Sequence, residues 1–195
     1  MIRKMTAADD ATTVAELIYG TDGILFPFLF GRKDKAVSRL ATLVQLDRNA
    51  FSHERIFLFE EEGTIRGILV ETDVRHDRRE TDDFVAAFRF GELLGLLVRQ
   101  ICLFPVLRRD RGAYRYIQNL SVDPTFRGKG IGSALLEDAI ARAERDGVAA
   151  LHLDVSVKND IARNLYEKHG FRVFAKRRIW GVFPLEYAMR KRFVR

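Results

Sequence analysis

The stretch Arg127-Gly128-Lys129-Gly130-Ile131-Gly132-Ser133 concentrates the residue types that hold a phosphate: three glycines at alternate positions and two cations. Glycine lets a backbone turn sharply and approach a ligand with no Cβ in the way. Leu135, Leu136, Ala139 and Ile140 follow at helical spacing, so the turn predicts a helix start whose free amides and dipole favour an anion. With Arg127 and Lys129 beside it, a pyrophosphate is the natural guest. Two nucleotide motifs are excluded by spacing. A Walker loop needs Gly-Lys-Ser/Thr, and Lys129 is followed by Gly130. A dinucleotide fingerprint needs Gly-x-Gly-x-x-Gly/Ala, yet from Gly128 the last place is Ser133 and from Gly130 it is Leu135.

A second set of candidates follows on one segment. Asn159 and Tyr166 are seven residues apart, two helical turns, and so share a side, with Ile161 and Leu165 marking a neighbouring apolar stripe. Asn159 serves equally as an N-cap or as a cofactor contact. Tyr166 serves as a core aromatic or as a phenol presented to a ligand.

The elements that must position these groups alternate around them. Ala113 to Val122 predicts a strand that Asp123-Pro124 ends, proline having no N–H for a ladder. A helix over 132–146, a strand over 151–157, a helix over 160–169 and strands over 171–180 and 185–192 follow. Upstream, Ile2 to Met5 predicts a short strand, and Thr6 to Asp9 a cap before a helix ending near Gly20. Leu25 to Phe30 predicts an apolar turn segment, 34–50 a helix, and Ile56–Phe59 with Ile65–Val74 a hairpin across Glu62-Gly63. Thr81 to Leu103 predicts one further helix with a broad apolar face. Strands that first meander and then alternate with helices imply a mixed sheet in an α/β or α+β layer.

Composition sets the class. At 195 residues, with 47% apolar and 31% charged residues, the chain fits a single soluble domain over residues 1–195. The lone Cys102 closes no internal disulfide and has no Cys or His at metal spacing beside it, which points to a reducing, cytoplasmic setting and to no metal site. No secretory signal precedes Asp9-Asp10. The apolar run from Phe84 is interrupted by Arg89, Glu92 and Arg99 and ended by Pro105, which excludes a membrane span. The net charge of +6 suits polyanions, but its basic clusters lack interleaved stacking aromatics, which disfavours nucleic acid as a partner.

Arg127-Gly128-Lys129-Gly130-Ile131-Gly132 resembles the Arg/Gln-x-x-Gly-x-Gly/Ala motif of the GNAT superfamily of acyl-CoA N-acyltransferases. Asn119 to Pro124 resembles that family's fourth strand, and Asn159 to Phe171 its later Asn-to-Gly-Phe signature. The likeness covers about residues 113–175, and two motifs joined by a helix and strand of the right lengths are a specific signal. It implies a central mixed, mostly antiparallel sheet of about seven strands flanked by helices, with the helix near 81–103 as an addition.

The resemblance also implies acetyl-CoA as co-substrate and a primary amine, on a small molecule or a protein, as acceptor. The backbone of Leu120 and Val122 would then bond the pantetheine arm as an added strand does. The amides of Gly128, Lys129, Gly130, Ile131, Gly132 and Ser133, with Arg127, would hold the pyrophosphate, and Asn159 would flank the cofactor. Tyr166 would protonate the leaving sulfur, since a phenol of pKa about 10 keeps its proton at neutrality. Related enzymes often carry a glutamate on the fourth strand, where this chain has Gln118 and Asn119, neither able to take a proton. Glu71, His76 and Asp154 are the remaining candidate bases, or water relays suffice. His152 and Asp154 alternate with apolar residues in the manner of solvent-facing groups.

The acceptor pocket is expected from the least family-like parts, Leu25 to Phe30 and the acidic segment Glu71, Asp73, Asp77, Glu80, Asp82 and Asp83 with the helix after it. That helix as a homodimer contact is the competing reading. A non-catalytic CoA-binding or regulatory module is the alternative to the enzyme as a whole.

Overall fold

The structure, a computed structural model, describes residues 1–73, 83–88, 90–107, 114–179 and 183–193. The elements run β1 (Ile2–Lys4), α1 (Ala11–Tyr19), α2 (Leu25–Phe30), α3 (Lys33–Gln45), β2 (Ile56–Glu61), β3 (Thr64–Asp73), α4 (Phe84–Ala87), α5 (Phe90–Leu107), β4 (Arg115–Val122), α6 (Ile131–Arg145), β5 (Ala150–Ser156), α7 (Asp160–Lys168), β6 (Arg172–Ile179) and β7 (Phe183–Arg192). The strands form one seven-stranded sheet in the order β1-β2-β3-β4-β5-β7-β6. Every neighbouring pair is antiparallel except β4–β5. The expected mixed, mostly antiparallel sheet flanked by helices is what the chain forms.

Three local expectations are corrected. Leu25–Phe30 is a helix rather than a turn, because the Asp22 carboxylate accepts the N–H groups of Ile24 and Leu25, both at 2.7 Å, and Pro27 falls in the first turn, where a missing N–H costs nothing. The single helix expected over 81–103 is two. Phe88 adopts an extended conformation that closes α4, and α5 then continues past Pro105 to Leu107. The helix expected to reach Ala50 stops at Gln45, where Leu46 turns extended. Among the described residues no helix is long and apolar enough to cross a membrane.

Alternation along the strands separates two cores. On one face, Ile56, Leu58, Ile68 and Val70 pack against α1, α2, α3 and α5. On the other, Leu69, Ile117, Leu151, Leu153 and Met189 pack under α6 and α7. Burial of side chains of this size stabilises by about 1.5–3 kcal/mol each. α6 is seated close on the sheet at Gly67, where a Cβ would fall 3.0 Å from the Ile131 side chain and 3.1 Å from the Ser121 carbonyl.

One irregularity in β4 organises the site. β3 and β4 pair Val70 with Asn119 and Glu71 with Ile117, leaving Gln118 as an extra residue in β4. A bulge of this kind reverses the alternation and bends its strand. Ile117 therefore faces α6, whereas Asn119 faces α1 and donates to Thr21 Oγ1 at 2.8 Å. Past the bulge β4 leaves β5: their parallel pairing joins only Arg115–Ile117 to Leu151–Leu153.

Candidate active site

The parting of β4 and β5 opens two adjoining cavities. The first, on the glycine-rich side, is bordered by Leu120, Val122, Arg127, Gly128, Gly130, Ile131, Gly132 and Ser133, and across from them by Asn159, Ile161, Leu165 and Tyr166. The sequence thus folds most of its separately identified candidates onto one cleft. Gly128 and Gly130 have φ of +78° and +83°, in the left-handed region that favours glycine. Gly130 is the N-cap of α6 and supplies no side-chain cap, so the first amides of this fifteen-residue helix are left for another acceptor. Arg127 is exposed and bonds the Val122 carbonyl at 3.3 Å. Lys129 and Arg66 lie over the Phe126 ring, 4.1 Å and 3.9 Å from its centroid, which adds a third cation that the motif does not contain. The edge of β4 beyond Ile117 is unpaired on its β5 side, and the ladder geometry of that edge suits an extended amide-bearing chain. These residues fit the pantetheine and pyrophosphate of coenzyme A.

The second cavity, about 320 Å³, continues the first on the α1–α2 side, at the small end of the range for small-molecule sites. The two share Thr21, Leu120, Asn159, Ala162 and Tyr166. Asn159 caps α7, accepting the Ala162 N–H at 3.0 Å, while also lining both cavities, so cap and wall are the same residue. Tyr166 is buried, 6.0 Å from Phe171 between ring centroids, and burial pushes its phenol up to about 12.

The wall of the second cavity is divided by chemistry. Leu25, Phe26, Leu29, Phe30, Phe51 and Phe84 supply its apolar lining, with Phe26 stacked on Phe30 at 5.8 Å. Asp22, Asp154 and Glu186 supply its acidic lining. Asp154 receives the Tyr116 hydroxyl at 2.9 Å and Arg177 Nε at 3.0 Å. It is not a solvent-facing group as expected; its side chain is 10% exposed and held in the ion pair with Arg177. His152 is likewise enclosed, stacked on Tyr114 at 3.9 Å with Phe174 at 5.2 Å.

Glu186 is a site residue that local sequence does not single out. The register places it opposite Ser156 on β5 and Arg177 on β6, on the same face as Asp154. Burial, then the charges of Asp154 and Asp22, push its carboxyl up to about 8, with Arg177 opposing. Its position between Leu185 and Tyr187 in an alternating strand is the one local signal, and that pattern is common to surface glutamates. Among the described residues no group of three or more His, Cys, Asp or Glu is placed to hold a metal ion.

Glu71 lies on the wrong face. Because it alternates with Val70, it points toward α6 and pairs with Arg142 at 3.2 Å and Arg115 at 3.4 Å, and Asp73 borders the same shallow cleft. Asp83 is also engaged elsewhere, accepting the Arg48 N–H at 2.6 Å and Asn49 Nδ2 at 3.1 Å. His76, Asp77, Glu80 and Asp82 lie outside the described residues. The negative charge beside the cavity comes from Asp22, Asp154 and Glu186 instead.

Residues 32–171 match the model described as the acetyltransferase (GNAT) family. The chain is 47% identical over 53 residues to the ribosomal protein bS18 alanine N-acetyltransferase of Escherichia coli, covering 27% of this chain and 36% of that protein. It is 37% identical over 76 residues to a putative phosphinothricin acetyltransferase of Bacillus subtilis, covering 38% and 43%. The chain thus spans well under half the length of these curated relatives. Among solved structures, an acetyltransferase crystal structure shares 26% identity at a TM-score of 0.73, covering 98% of both chains. An N-acetyltransferase from Staphylococcus aureus Mu50 superposes at 0.79 with 16% identity, over 98% of this chain and 100% of that one, and shows the fold.

Proposed function

The chain belongs to the acetyltransferase (GNAT) family, and we propose that it moves an acetyl group from acetyl-CoA to a primary amine by direct attack in a ternary complex. Residues 1–195 act as one such domain, with the cytoplasm as its setting. The observation that carries the reading is that Tyr166 borders both the glycine-rich cleft and the divided cavity beside it. A group at that junction reaches a thioester entering from one side and a nucleophile entering from the other.

The backbone of Leu120 and Val122 aligns the pantetheine, and the amides from Gly128 to Ser133, with Arg127 and Lys129, take the pyrophosphate. Asn159 and Ala162 close the far wall. Attack by the neutral amine breaks the carbon–sulfur bond, and the sulfur leaves as a thiolate. A phenol held near 12 stays protonated throughout the working range. Against a thiol of pKa about 8.5, Tyr166 stabilises the departing charge chiefly by donating a hydrogen bond, and the thiolate's proton follows from the acetylated nitrogen.

The test is release of free thiol from acetyl-CoA in the presence of primary amines, compared in the wild-type chain and in Tyr166→Phe. A folded Tyr166→Phe with unchanged turnover under conditions where chemistry limits the rate would make the tyrosine structural.

A further inference from the structure

Three carboxylates, Asp22, Asp154 and Glu186, line the cavity together with phenylalanines, and the charges of the first two act on the third. Glu186 has no hydrogen-bond or ion-pair partner among the described residues, while the cation nearest to it in register, Arg177, is engaged with Asp154. A second, independent feature lies in the same wall. Asn119 is 4% exposed, and its Oδ1 accepts no hydrogen bond among the described residues, its amide being spent on Thr21. An unpaired buried acceptor costs about 1–3 kcal/mol. Two acceptors without donors, beside a surplus of negative charge, ask for a ligand that brings N–H groups and positive charge.

We infer that the acceptor is a small amine that enters as a cation with an apolar body, its ammonium received by Asp22, Asp154 and Glu186, and that Glu186 takes the ammonium proton before attack. This rests on the acetyl-transfer reading above and names its substrate class and its base. The phenylalanine side, from Phe26 and Phe30 to Phe51, takes the body. A peptide acceptor would place polar backbone against that surface without partners.

Proton transfer from an alkyl ammonium of pKa about 10 to an ordinary glutamate of about 4.3 is uphill by roughly six powers of ten. To a carboxyl held near 8 it is uphill by only about two. Among the described residues, the charged and titratable groups around Glu186 are Asp22 from the α1–α2 connection, Asp154 from β5 and Arg177 from β6, with Tyr116 of β4 and Tyr166 of α7 on the same cavity. Glu186 acts as base in the fraction of molecules where it is ionised, a fraction that grows as pH rises through about 8. One N–H bond of the ammonium breaks and an O–H bond forms on Glu186. The freed nitrogen pair attacks the carbonyl, the C–S bond breaks, and a second nitrogen proton goes to the thiolate. Glu186 returns its proton to solvent, and the reaction nets one amide, one thiol and one proton.

The experiment compares the wild-type chain and Glu186→Gln with acetyl-CoA and three probes: phenethylamine, ethylamine and aniline. Wild type should show a KM for phenethylamine at least tenfold below that for ethylamine, and kcat/KM rising with pH through an apparent pKa near 8. Glu186→Gln should lose about 10²-fold with phenethylamine together with that pH limb. It should lose less than about fivefold with aniline, which is already neutral at pH 7 and has no ammonium proton to give up. Asp22→Asn, which keeps the α2 cap, should raise KM for phenethylamine with CoA affinity unchanged. Equal losses on phenethylamine and aniline, or a wild-type pH profile in Glu186→Gln, overturn this inference while leaving acetyl transfer intact. Turnover with a peptide N-terminus but none of the amines does the same. Absence of turnover with every acceptor overturns the transfer reading and this one together.

Discussion

Tyr166 and Glu186 border one cavity from opposite faces of the sheet. Tyr166 sits on α7 and packs with Ile117, Leu153 and Val155, whereas Glu186 shares the other face with Asp154. They reach the same space because β4 and β5 part after three residue pairs. In the reaction proposed above, a proton acceptor and a hydrogen-bond donor would thereby stand on either side of the point where an amine meets a thioester, with their tasks separated by position.

At the cofactor end, Gly130→Asp tests the phosphate site. The new Cβ meets no atom within 4 Å, so the fold has room, but φ of +83° strains any other residue and the carboxylate adds charge where an anion belongs. CoA affinity measured by calorimetry should fall at least tenfold, equivalent to about 1.4 kcal/mol. Unchanged affinity in a folded variant would remove this turn from the cofactor site.

Tyr166→Phe should lower kcat by about 10²-fold, the lower end of general-acid effects since water replaces part of the donor, and should leave CoA affinity within about twofold. A loss of CoA affinity with unchanged kcat would assign Tyr166 to binding alone.

Glu71→Gln addresses the opposite face. Glu71 neutralises Arg142 and Arg115, which keep Asp138 and Asp146 as second partners. Its loss should destabilise by about 1–3 kcal/mol, less than for an isolated buried pair, with acceptor KM unchanged. Denaturant unfolding and steady-state kinetics separate the two, and a raised KM at native stability would return Glu71 to the acceptor site.

Glu186 also carries a stability signature. Its folded-state value near 8 lies above the ordinary glutamate value, so between about 4.5 and 8 the folded state holds a proton that the unfolded chain has lost. Stability is complete below that window and falls as pH rises through it. Glu186→Gln should therefore be more stable than wild type by on the order of 2 kcal/mol at pH 8.5, allowing for water around a half-buried group, and nearly equal at pH 5. Thermal melts at the two pH values should show a gap of several degrees at the higher one only. A gap independent of pH would place the ordinary carboxylate value on Glu186.

The glycine turn, the α6 face of Leu135, Leu136 and Ala139, and the helix carrying Tyr166 are legible in the chain because each is written in local periodicity and turn chemistry. The acceptor half is not, because it depends on non-local pairing. β7 inserts between β5 and β6, and only that insertion brings Glu186 beside Asp154. The extra residue at Gln118 reverses which face Asn119 occupies and has no signature in composition. Glu71 departs from expectation for a related reason. Its neighbour Val70 packs in the core shared with α1 while it faces α6, and a choice between two buried faces is invisible until the helices are placed.

The measurement closest to the central claim is acetylation itself: purified chain, acetyl-CoA and phenethylamine, followed by thiol release and by mass analysis of the amine. Stoichiometric appearance of free CoA and N-acetylphenethylamine, abolished when the amine is omitted, is the expected result. CoA binding without acetylated product from any amine tested would contradict it and leave a cofactor-binding module in place of an enzyme.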